Sequence, residues 1–173
     1  MHHLRKLIFF VVAAGIIGSL APSTEARSLL RPGTRSTVYQ GGVGVGVTFG
    51  YGVSFVLHNN ISYHFSGKSH GPALGADLDL TLGTAGALVI APRFNWDIQV
   101  GSKAIYISPF IRMGLHVNFD YGAGFDLQFG ARVKFILNNR ALLFFQPLAL
   151  ELVANKYGTF GSYQFLFGYG ATF

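Results

Sequence analysis

The 173-residue chain has no cysteine, and Lys, Arg, Asp and Glu together make up only 12% of it. Without cysteine there is no disulfide framework and no thiolate site for metal or redox chemistry. The charged fraction is about half that of an ordinary soluble domain. Past the amino-terminal segment, no unbroken apolar run reaches the roughly 20 residues that a membrane-crossing helix needs. The formal charge of +6 suggests nucleic acid. That reading fails because the basic residues form no cluster interleaved with exposed aromatics. What the chain has instead is a hydrophobic half, with 23 glycines and 17 phenylalanines.

The amino terminus has the layout of a secretory signal. Arg5 and Lys6 form a basic head, Leu7 to Leu20 an apolar run, and Thr24-Glu25-Ala26 a small-residue cleavage site. Cleavage after Ala26 leaves a mature chain from Arg27, with 27–40 expected as a short periplasmic segment and 41–173 as the folded unit.

That unit reads as eight strands, because side chains alternate between two faces with period two. The terminal strand shows it most openly: Tyr163, Phe165, Phe167, Tyr169, Ala171 and Phe173 on one side, Gln164, Leu166, Gly168, Gly170 and Thr172 on the other. Alternation predicts a first strand over Gly41–Val56 and a break at Leu57-His58-Asn59-Asn60. Further strands follow from Ile61, Leu74, Leu88, Ile105, Phe125 and Leu142. On the seventh, Leu142, Phe144, Gln146, Leu148, Leu150 and Leu152 are expected to point outward, with Gln146 the single polar residue on the outer face. Pro92, Pro109 and Pro147 each remove a ladder donor, so they are expected at bulges or weak points of the ladder.

The charges fall on the opposite face: Asp77, Asp79, Arg93, Asp97, Arg112, Asp126, Arg132, Lys134 and Glu151, with His116. A charge on a lipid-facing strand costs roughly 2–4 kcal/mol at the bilayer midplane, so a face swept clear of charge is a lipid face. A soluble ligand-binding barrel has the reverse polarity. The expected fold is therefore all-β, an eight-stranded antiparallel up-and-down transmembrane β-barrel with short loops. Closure leaves no unpaired edge in lipid.

These residues resemble the small eight-stranded outer-membrane β-barrels of Gram-negative bacteria, of the outer-membrane-protein A and X type. The resemblance covers about Gly41 to Phe173 and rests on the leader, the alternation, the strand number and the terminal Phe173. It implies residence in the outer membrane as a monomer with lipid as partner, and recognition of the strand ending at Phe173 by the barrel-assembly machinery. Loops of seven residues or fewer depart from the long external loops of that group.

Eight strands enclose a lumen just wide enough for side chains to fill. The charged residues are expected to pair across it and plug it, since desolvated charges need partners. A narrow water-filled pore is the alternative. One wall is nearly bare: Gly44, Gly46, Gly50 and Gly52 on the first strand face Gly168 and Gly170 on the last. Tyr106, Phe110 and Phe145 are expected to fill the space; otherwise a cavity remains for a lipid chain or small apolar ligand. His64-Phe65-Ser66 resembles the His-x-Ser pair of lipid A deacylases, although in that family it lies late in the chain with a carboxylate close behind. The prevailing expectation is no catalysis, no cofactor and no metal, because His58, His64, His70 and His116 lack ligand spacing.

Overall fold

The computed structural model describes residues 35–173 apart from 69, 84–85, 101–104 and 138–139; the expected leader 1–26 and the start of the expected segment 27–40 lie outside the described residues. Eight strands follow one another: β1 Thr37–Thr48, β2 Gly52–His64, β3 Gly71–Gly83, β4 Ala87–Gln99, β5 Ile105–Asn118, β6 Gly122–Ile136, β7 Ala141–Asn155 and β8 Gly158–Thr172. Each pairs antiparallel with its neighbours, and β8 returns to β1 to close the barrel. At the seam Val38 lies opposite Thr172, and the Phe173 amide donates to the Thr37 carbonyl at 2.9 Å. Among the described residues no helix is long and apolar enough to cross a membrane.

Outward side chains make a continuous apolar belt, with Val45, Ile61, Leu74, Ile90, Phe94, Ile111, Leu115, Phe129 and Leu150 all exposed. A patch of that extent is stable only against lipid. Exposed rings gather towards both rims: Tyr63, Phe65, Trp96, Phe135 and Phe173 at the end carrying the termini, Phe49 and Phe125 at the far end. This is the placement of interfacial girdles on a membrane barrel.

Two features depart from the sequence reading. First, the barrel begins at Thr37, and the first strand turns at 49–51 instead of running to Val56. Gly50 sits in that turn with φ of +83°, so it belongs to no lumen wall, while Gly52 starts β2. The segment Leu57-His58-Asn59-Asn60 is the middle of β2, with His58 and Asn60 buried. Asn59 lies on the other face, where its Oδ1 accepts from the Tyr39 hydroxyl at 2.6 Å.

Second, the ladder between β7 and β8 shifts register between Gln146 and Ala149, around Pro147. One extra residue inverts the alternation. Leu142, Phe144 and Gln146 therefore point inward, and only after the bulge do Leu150 and Leu152 point outward. The outer face loses its one expected polar residue, and the lumen gains an acceptor and an aromatic ring. Phe145 moves to the outside. The other two prolines lie on one seam: β4–β5 pairing is interrupted at Ala91–Pro92 and at Trp96–Asp97, the latter opposite Pro109.

In keeping with the short loops expected, every connection has six residues or fewer, and they are shortest at the far end. Residues 49–51, 84–86, 119–121 and 156–157 link strands there, whereas 65–70, 100–104 and 137–140 lie at the end with the termini.

Candidate functional site

All nine charged residues singled out in the sequence are buried in the lumen. They come from β3 to β7, on positions that share the inner face, and they meet in three layers.

Nearest the termini, Lys134 donates to both oxygens of Asp97, at 2.9 and 2.8 Å. Asn95 donates to the same carboxylate at 3.0 Å, and His64 Nε2 lies 3.0 Å from it. The His64 side chain is thus committed to Asp97 inside the barrel. Ser66 is exposed in the following turn, where its hydroxyl donates to the His70 carbonyl at 2.5 Å. The two residues share a sequence triplet but no site.

In the middle layer, Arg93 donates to Asp77 at 3.2 Å, and its guanidinium stacks 3.6 Å from the centroid of Phe110. Asp77 also accepts from Asn60 at 2.6 Å. Arg132 is held differently. Its donors go to Gln146 at 2.8 Å, Gln40 at 2.7 Å and His58 Nε2 at 2.8 Å, and its guanidinium lies 4.8 Å from the ring of Phe144. No carboxylate pairs with it among the described residues. Arginine only donates, so His58 Nε2 must accept and its Nδ1–H must point to Asp79, 2.5 Å away. The chain Asp79–His58–Arg132 spans the lumen through a fixed tautomer.

The layer towards the far end centres on Arg112. Its Nε donates to Asp126 at 3.2 Å, one terminal nitrogen to Glu151 at 2.9 Å, and the other to Asp79. Glu151 accepts in turn from Ser162 at 2.5 Å.

The glycine wall divides in two. Inward Leu142, Phe144 and Leu166 cover its half near the termini and, with Val38 and Val56, form a small apolar core. A Cβ on Gly168 would come within 2.6 Å of the Phe144 ring, so glycine is needed there for the two strands and the ring to meet. Gly44 and Gly170 are similarly covered, by Leu166 and Leu142. Gly46 and Gly52 instead line an open cavity of about 450 Å³ at the far end. Its floor includes Glu151, Ser162, Gln164 and His116, and its rim Tyr51, Asp120, Tyr121, Tyr157 and Phe160. Tyr106 and Phe110 do fill lumen space, as expected, but the ring expected from Phe145 comes from Phe144. The sequence signal for that exchange was Pro147. Among the described residues, no group of three or more His, Asp or Glu side chains is placed to hold a metal.

A closed ring of eight antiparallel strands, dry outside and charged inside, defines a small transmembrane β-barrel of the outer-membrane type. No family model matches the chain, and no curated protein matches it. Among solved structures it is similar to Neisserial surface protein A, with a TM-score of 0.63 at 10% identity over 79% of this chain and 97% of that one. The outer-membrane protein OprG from Pseudomonas aeruginosa aligns at 0.49 and 12% identity over 82% and 97%. Ail, the attachment invasion locus protein of Yersinia pestis, aligns at 0.46 and 10% identity over 81% and 99%. At 10% identity the likeness to Neisserial surface protein A is one of fold.

Proposed function

We propose that this protein is a monomeric, integral component of the bacterial outer membrane whose lumen is closed by side chains, a structural element of the envelope with neither transport nor catalysis as its task. The observation that carries this reading is the set of cross-barrel contacts. Arg132 on β6 reaches Gln40 on β1, His58 on β2 and Gln146 on β7, and Arg112 on β5 reaches β3, β6 and β7. Opening a water path means breaking several charge-assisted bonds at once, each roughly twice as strong as a neutral one. The outer-membrane assignment is supported by the barrel fold, the clean apolar belt and the leader-like amino terminus. Turns of two or three residues at the far end offer no surface for adhesion to another protein. Against a lipid-modifying enzyme stands the separation of His64 from Ser66, which leaves the serine hydroxyl without a base.

The test is conductance of the refolded protein in a planar bilayer. Folded protein, identified by its shifted gel mobility before boiling, is expected to be silent. Reproducible single channels from the same sample would refute the plug.

A further inference from the structure

The cavity at the far end has features that a plugged barrel does not require. Three carboxylates, Asp79, Asp126 and Glu151, converge on the guanidinium of Arg112, and a fourth, Asp77, lies 3.5 Å from it but is also paired with Arg93. Arg132, deeper in the barrel, meets only neutral acceptors and rings. Negative charge is therefore in excess beneath the cavity and positive charge in excess away from it. The balance around Arg112 stays negative even with one of the three carboxyl groups protonated. Of those three, Glu151 is the one with an open side: its side chain is 11% exposed, against 0% for Asp79 and Asp126. It forms part of the cavity floor.

The rim has a matching chemistry. Tyr51 stacks edge-on against Phe160 at 5.1 Å, and Tyr121 against Tyr157 at 6.0 Å, so two aromatic pairs stand on the cavity wall. Asp120 adds a carboxylate between strands β5 and β6. The cationic groups nearby are Arg112, sealed below the floor, and Lys156 in the β7–β8 turn, 4.9 Å from the Tyr157 ring. His116 is the lone imidazole of the lining. Aromatic faces above a carboxylate attract a cation through the ring quadrupole and through charge together. A volume of 450 Å³ lies within the size range of small-molecule sites, and Gly46 keeps the floor open.

We propose that this cavity binds a small organic cation, an ammonium group with an apolar body, with the ammonium directed to Glu151 and the body against the tyrosine rim. The inference uses the plug only as the floor of the site. Conductance tests the plug and ligand binding tests the cavity, so the two readings fail separately.

The experiment is calorimetric titration of the folded full chain in octyl glucoside, whose headgroup carries no ammonium. The probes are benzyltrimethylammonium and, as a ring-bearing anion of similar size, benzenesulfonate. The cation is expected to bind saturably with one site, and the anion not to bind. Glu151→Gln is expected to weaken the cation by about tenfold or more, the loss of a facing charge in a partly enclosed site. Because that change also touches Arg112, a second variant is needed. Thr48→Trp fills the cavity from its wall without altering any charge, and it is expected to abolish binding while gel mobility stays that of folded protein. Absence of cation binding by the folded chain overturns the proposal. So does equal binding of the anion, or undiminished binding by Thr48→Trp.

Discussion

The two halves of the lumen are built from the same eight strands and the same alternation, yet one is packed and the other hollow. Towards the termini, long side chains cross the barrel: Arg93, Arg132 and Lys134 with Phe110, Phe144 and Tyr106. Towards the far end the inner positions of β1 to β4 include Gly46, Thr48, Ser54, Thr81 and Ala87, all short, and they leave a cavity. Side-chain length at inward positions, rather than barrel size, decides whether an eight-stranded lumen is solid. The distribution of charge follows the same division, with carboxylates in excess beside the hollow half.

The largest effect is expected at the boundary between the halves. Arg112→Leu strands Asp79, Asp126 and Glu151 without their shared cation, and breaking a buried network this way costs about 3–5 kcal/mol. Urea unfolding in lipid vesicles, or failure to refold, reports it. Within the packed half, Asp97→Asn leaves Lys134 without a counter-charge and is expected to cost about 3 kcal/mol on the same assay, the lower end for a broken buried pair. Removing Arg132 and Phe144 together, as alanines, takes out two of the largest plug side chains. It is expected to turn a silent barrel into a conducting one in a planar bilayer. On the hollow side, Thr81→Val changes a half-buried residue that lines the cavity, and its unfolding free energy should shift by less than about 0.5 kcal/mol. If Thr81→Val proved as costly as Asp97→Asn, the contrast between the halves would collapse.

Much of this was readable in the chain. From Leu74 to Leu137 the alternation places Asp77, Arg93, Asp97, Arg112, Asp126, Arg132 and Lys134 on the inner face, where they lie. The eight-stranded closed form follows from that pattern and the turn residues. Two places misled. Phe49 and Tyr51 keep the odd-numbered apolar rhythm through the β1–β2 turn, so strand and turn look alike. His58 and Asn60 look like turn residues because polar side chains suit turns, but here they face a polar lumen. At Pro147 a single extra residue inverts the parity of half a strand, which period-two counting detects only when the bulge is allowed for. The cavity was open in the sequence only as the alternative to a filled wall, for a different reason. Whether a glycine faces a void depends on which side chain arrives from other strands: Phe144 covers Gly168, and nothing of that size comes to Gly46.

The four turns at the far end carry a further consequence for how the molecule meets other macromolecules. A protease must draw an extended stretch of chain into its cleft, and cleavage concentrates at exposed, mobile loop tips. Connections of two or three residues between hydrogen-bonded strands offer no such stretch. Trypsin or proteinase K acting on that rim of the folded protein would leave the barrel whole, and an antibody would find almost no protruding epitope there.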